Sequence, residues 1–180
     1  MRQHMNDISR KEIAELVGIA AIVASLIFVG MQMRQAQDIA MAEGYSSVFA
    51  TRIEVNNSIK EHVDIWKKGV AEEELQEEES AVFALLVTQV NENAVQAHLQ
   101  ALMVEGEDSA KFAARDFASF LYHNPGARKV WEEREEYLEQ SRGLLGYDNA
   151  SESWTETVKA FLSKLDSSQP PSDEKPFVDW

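Results

Sequence analysis

The chain has 180 residues, enough for one compact domain and an appendage, and its 44% hydrophobic and 27% charged content excludes a collagen-like or wholly unfolded polymer. Acidic side chains outnumber basic ones by 31 to 17, a formal charge of -14 and the wrong sign for a free-standing nucleic-acid binder. There is no cysteine, which excludes disulfide frameworks, thiolate metal sites and cysteine nucleophiles.

The charge is unevenly placed. Arg2, Arg10 and Lys11 balance Asp7, Glu12 and Glu15, so residues 1–33 are neutral and the whole acidic excess lies beyond them. Between Glu15 and Arg34 runs an uncharged stretch, LVGIAAIVASLIFVGMQM. As a helix it extends about 27 Å at 1.5 Å per residue, near the hydrocarbon thickness of a bilayer. It is apolar on every side, unlike the one-sided helix of a soluble core. Ala40-Met41-Ala42 has the small residues of a signal-peptide cleavage site, but lies too far beyond the apolar run to match one well.

The expected organisation is an N-terminal flank over 1–11, a transmembrane helix over 12–35, an acidic helical body over 36–166 and a disordered tail, rich in proline and serine, over 167–180. Within the span, Ala14, Gly18, Ala21 and Ser25 recur every three or four residues. They form one stripe along which two helix backbones can approach closely in lipid. Arg2, Arg10 and Lys11 before the span outnumber Arg34 and Arg52 after it by a single charge, a weak lean toward an N-terminus in the cytoplasm and a body outside.

Beyond the span the 3-4 spacing continues through Ile39, Ala42, Ser46, Phe49 and Ile53, then Val63 and Trp66, which predicts one unbroken helix ending at Lys67-Lys68-Gly69 with glycine as a left-handed cap. A second helix is expected from Ala71 or Glu72, with glutamates at its positive end and a core stripe of Phe83, Leu86, Val90, Ala94, Ala97 and Ala101. A third covers about Ser109 to Tyr122, with Phe112, Ala113, Phe117, Phe120 and Leu121 on one face. Asn124-Pro125 restarts the chain as N-cap and first helical residue. The fourth helix turns Val130, Trp131 and Leu138 inward and Glu132, Glu133, Glu135 and Glu136 mostly outward, and Gly143 and Gly146 end it. The fifth, from about Ser151 to Leu165, carries Trp154, Val158, Phe161 and Leu165, with Ser153 and Glu156 as its capping box. No stretch alternates with period two, so the predicted fold is all-α, a transmembrane helix continuing into an antiparallel bundle of four to five helices.

Chemistry is sparse. None of His4, His62, His98 and His123 has a glutamate three residues before it, so the carboxylate-bridged di-metal pattern is absent. HExxH, the P-loop, GxGxxG and GxSxG are absent too. These readings imply no catalytic residue, cofactor or metal. Asn56 sits in the first helix's stripe, where a buried asparagine can set register. Arg128, Trp131 and Arg134 form either a docking face or an anchoring tryptophan flanked by ion pairs.

The pattern E-x-V-G-x-x-A-x-x-x-S-L-I-F-x-x-x-Q-x-R-Q from Glu15 to Gln35, followed by P-G-x-R-x-x-W-E-x-R from Pro125 to Arg134, resembles a family of small uncharacterised bacterial single-span membrane proteins, a domain of unknown function. The resemblance spans roughly residues 12–145. It implies placement in a bacterial inner membrane and an all-helical body, and it transfers no catalytic residue. The expectation is a non-enzymatic, membrane-anchored interaction protein, a scaffold or accessory subunit, whose partners are the lipid bilayer and another protein or a second copy. Two alternatives stand beside it: a single-span sensor whose bundle binds a small ligand, and a carboxylate-dependent hydrolase.

Overall fold

A computed structural model describes residues 10–145 and 150–168. Six helices and no strand occur among them: α1 (Arg10–Glu61), α2 (Val63–Val70), α3 (Glu77–Val104), α4 (Glu107–His123), α5 (Pro125–Leu145) and α6 (Ala150–Ser168). The fold is all-α, as the sequence predicts, with a long apolar N-terminal helix followed by a helical bundle. Two compact units divide at Glu43 and Gly44. The predicted tail beyond Ser168 and the flank before Arg10 lie outside the described residues, as does Gly146.

The first unit is the N-terminal part of α1, exposed at every position from Lys11 to Glu43. The second holds the rest of α1 and α2 to α6. Its central helix is α4, which packs against α3 and α6 and more lightly against α5. Ala110, Ala114 and Ala118 recur every four residues on α4 and are almost completely buried. Their short side chains let neighbouring helices approach closely.

Aromatic rings fill the space beside that ridge. Phe117 meets Trp131 at 6.1 Å, Trp154 at 5.7 Å and Phe120 at 5.9 Å between ring centroids. Phe120 stacks on Trp66 at 6.0 Å, and Trp66 meets Phe83 at 5.7 Å. One connected set of rings thus joins α2, α3, α4, α5 and α6. Phe112, expected on the same face, is 55% exposed and lies under the Arg115 guanidinium instead. Phe117, Phe120 and Leu121 are buried as expected and Ala113 is half-buried, while Ala110, Ala114, Ala118 and Tyr122 are buried in addition, so the packed face is turned around the helix from the predicted one.

Three expectations about α1 and α2 are corrected. The helix does not run unbroken to Gly69: α1 ends at Glu61 and α2 restarts beyond His62, whose φ of -119° and ψ of 33° leave the helical region. The break turns α2 so that Trp66 and Val70 enter the core. Secondly, within the second unit the predicted stripe is not the packed one: Ser46, Phe49 and Ile53 are exposed. Val55 is buried instead, with Val48, Thr51 and Ile59 half-buried along the same side. Two residues of offset rotate a helix by about 200°, so spacing alone describes both faces equally well. The packed face also has hydrogen-bonding partners: Asn93 Nδ2 donates to the Val48 carbonyl at 3.1 Å and the Tyr45 hydroxyl to Glu105 at 2.5 Å. Thirdly, Gly69 is not the left-handed cap. Glu72 is, with φ 57°, while the Glu73 amide donates to the Lys68 carbonyl and the Glu72 amide to that of Gly69. That pair of bonds is a Schellman closure, which ordinarily takes glycine at the left-handed position.

Gly69 has another role. It lies in the helix against the Phe83 ring, and its carbonyl is pressed on the Cα of Gly126 near the start of α5. Neither position has room for a Cβ.

Because the left-handed turn takes up Glu72, α3 starts at Glu77 rather than near Ala71. Glu79 reaches back to the Gln76 amide at 3.0 Å. Phe83, Leu86, Val90 and Ala94 are buried as expected, whereas Ala97 and Ala101 are half-buried. Between α3 and α4, Gly106 takes φ 90° and ψ -175°, a conformation that excludes a side chain. Asn124 precedes α5 as expected, with Pro125 the first helical residue and the Asn124 carbonyl accepting from the Arg128 amide at 3.0 Å, but its side chain does not cap: Nδ2 donates to the Phe120 carbonyl at 2.8 Å. Ser153 lies inside α6, so the predicted capping box is absent from that site. On α6, Trp154, Val158 and Leu162 are buried and Phe161 and Leu165 half-buried.

Two substitutions test the α2–α5 junction. Gly126→Ala forces two main chains apart and should destabilise the bundle by about 2–3 kcal/mol in chemical denaturation. Glu72→Gly should stabilise it by up to about 1 kcal/mol, because relief of the left-handed strain outweighs the added freedom of the unfolded chain.

Candidate functional site

Three regions are candidates for function: the exposed apolar helix, the start of α5 and a groove between α3 and α5. The first is the stretch of α1 containing Ala14, Gly18, Ala21 and Ser25, all exposed. Large apolar side chains around them are exposed as well, Leu16 at 60% and Leu26 at 67%. α1 is the one helix among the described residues long and apolar enough to cross a membrane, and none of its apolar window is buried.

At the start of α5 the three residues grouped by the sequence separate. Trp131 is 1% exposed and packs edge-on against Phe117, so it does not share an exposed face with the two arginines. Its indole Nε1 has no hydrogen-bond partner among the described residues. Arg128 forms a fork on Asp166 of α6, with both bonds at 2.9 Å, and a 2.8 Å bond to Glu132. Arg134 lies 3.4 Å from Glu135 and 3.9 Å from Glu92. This is the arrangement of an anchoring tryptophan flanked by ion pairs. Asp166 was not foreseen, since the two residues are 38 positions apart and only the docking of α6 brings them together.

The electrostatics follow from this pairing. Arg128 holds the Asp166 carboxyl below its ordinary pKa, and Asp166 in turn raises that of Arg128. The Gln76 amide and then Lys68 lower Glu79, while the Tyr45 hydroxyl lowers Glu105. All three carboxylates bind the proton less readily when folded than when unfolded. Their contribution to stability is therefore complete at neutral pH, and it disappears as pH falls through their depressed folded values.

Buried polar residues link the helices pairwise. His98 Nδ1 lies 2.9 Å from the Ala110 carbonyl, which only accepts, so that nitrogen carries the proton. The same ring meets Trp154 edge-on at 5.3 Å. The Trp154 indole donates to Asn91 at 3.2 Å, and Thr155 donates to Glu135 at 2.8 Å. Glu135 is therefore an inward residue, contrary to its expected place on the exposed face with Glu132, Glu133 and Glu136, because Thr155 of α6 supplies a donor beneath it.

An open groove of about 750 Å³ separates α3 from α5. Phe83, Ala84 and Val130 give it an apolar lining; Glu72, Glu73 and Glu133 make parts of its rim acidic, and Lys129 and Arg134 make others basic. Arg134 is the only member of the predicted docking set to line it. Among the described residues no three histidines or carboxylates are grouped so as to hold a metal ion. His62 and His123 are exposed. Asn56, expected to set register, is half-buried, and Asn91 and Asn93 hold the buried positions instead.

The chain matches no protein-family model, no curated protein and no solved structure.

Asp166→Asn should lower stability by about 0.5–1 kcal/mol, the range of a partly exposed bidentate pair, and should flatten the loss of thermal midpoint between about pH 5 and pH 3. Trp131→Ala should cost about 3–5 kcal/mol by opening a cavity beside Phe117. Thermal and urea unfolding of the purified chain measure both.

Proposed function

We propose that the protein is a single-span, membrane-anchored helical interaction protein, a scaffold or accessory subunit that acts by binding another protein or a second copy of itself rather than by catalysis. The observation that carries this reading is the uncharged stretch of α1, exposed on all sides. In water, so large an unbroken apolar surface would drive aggregation; in a bilayer it is the ordinary surface of a spanning helix, whose backbone is satisfied internally. The compartment is the bacterial inner membrane. The small excess of basic residues before the span favours a body outside the cytoplasm.

A sensor is the second reading, and the α3–α5 groove favours it. A saturable rise in thermal midpoint with a metabolite, abolished by filling the groove with Ala84→Trp, would establish it. The hydrolase reading has less support. Acid–base catalysis by paired carboxylates calls for a buried carboxyl of shifted pKa, and of the four glutamates near Trp131 only Glu135 is buried, already bonded to Thr155.

Fractionation of cells expressing the full chain tests the main reading. The protein should sediment with membranes, resist carbonate extraction and dissolve in detergent. Recovery in the detergent-free supernatant would overturn anchoring.

A further inference from the structure

In the second unit α1 has two apolar faces. One, through Val48, Thr51, Val55 and Ile59, packs on the bundle. The other, through Ser46, Phe49 and Ile53, is open, with Phe49 60% and Ile53 61% exposed. Counted backward in the same alternation of four and three, the open stripe passes Ala42, Ile39, Gln35 and Gln32. It then reaches Phe28 and the small residues Ser25, Ala21, Gly18 and Ala14. The seven-residue repeat is unbroken from Ala14 to Ile53.

We infer that α1 pairs along this stripe with α1 of a second copy of the chain, parallel and in register. The inference rests on the membrane-anchored reading above and supplies its partner. The stripe changes character along its length: small residues in the apolar stretch, glutamines next, then phenylalanine and isoleucine beside the bundle. Each type suits a different surrounding. In hydrocarbon there is no hydrophobic drive between helices, and close backbone approach over small residues takes its place. In water, the burial of Phe49 and Ile53 drives association. A partner must change character at the same heights, and a parallel second copy does so by construction.

Gln32 and Gln35 are self-complementary as well, since each amide both donates and accepts. From Ala14 to Ile53 the stripe runs about 58 Å along the helix. With a contact strip about 10 Å wide, two copies would bury roughly 1,200 Å², the lower bound of a specific interface. Asp38 and Glu43 flank the stripe and would face their like across the pair. Their repulsion is screened in water and weakens the association without redirecting it.

The cysteine-free chain makes a direct test simple. Single cysteines are placed on the stripe (Gly18→Cys, Ser25→Cys, Ser46→Cys and Ile53→Cys) and one residue further on (Ile19→Cys, Leu26→Cys, Ser47→Cys and Glu54→Cys). All eight positions are exposed, so the substitutions leave the bundle intact. Native membranes are oxidised with copper phenanthroline and run on non-reducing gels. On-stripe variants should give at least five-fold more of a band at twice 20.3 kDa, and Phe49→Glu should reduce the Ile53→Cys band several-fold. Equal yields on and off the stripe, no dimer, or an adduct of another mass would overturn the pairing. Protein found in membranes without a stripe preference refutes the pairing alone, whereas protein in the supernatant refutes the anchoring.

Discussion

The bundle depends on the rings around Phe117. This side chain is fully buried at the middle of α4 and touches Trp131 of α5, Trp154 of α6 and Phe120 of its own helix. Through Phe120 the set continues to Trp66 of α2 and Phe83 of α3. Aromatic side chains bury large areas with few rotatable bonds, and offset or edge-on contacts add to what burial alone provides. The alanine ridge on α4 complements them, because small residues at 110, 114 and 118 bring the backbones close where no ring intervenes.

Apolar packing of this kind does not by itself choose one register. Each of four pairings joins a different couple of helices: Asn93 with the Val48 carbonyl, His98 with the Ala110 carbonyl, Asn91 with Trp154, and Glu135 with Thr155. Sliding a helix by one turn would leave these buried groups unpaired, at a cost of about 1–3 kcal/mol each. The rings stabilise the bundle and the polar pairs align it. Ion pairs occur both within one helix, as between Lys111 and Asp108, and between helices, as between Arg134 and Glu92. The fork between Arg128 and Asp166 is of the second kind, fastening the last described turn of α6 to the start of α5.

The kind of helices and several of their ends were legible because apolar spacing and Asn124-Pro125 punctuate the chain, whereas the break at His62, which makes the helices six rather than five, was not. Trp66, Phe83, Phe117, Trp131 and Trp154 were legible as inward residues for the same reason. What the sequence left undecided was which of two equivalent faces a helix buries. On α1 the choice fell to Val48 and Val55, whose side of the helix also meets Asn93 and Glu105; that information lies on other helices. Asp166 and Glu135 were missed for a similar reason, since their partners are 38 and 20 residues away in the chain. The cap at Glu72 was missed because the rule that places glycine at such turns pointed to Gly69, a position the bundle reserves for contact.

That contact limits how the protein can diverge. Most interior positions accept a different apolar residue because neighbouring side chains shift to make room. At Gly126 a Cβ would meet the Gly69 carbonyl, which is main chain with nothing flexible to retract, whereas at Gly69 it would meet the Phe83 ring. The groove lining can drift in volume and the rim in charge while the helices stay where they are. Gly126 tolerates no such drift, so a side chain there can be accommodated only by moving α5 away from α2.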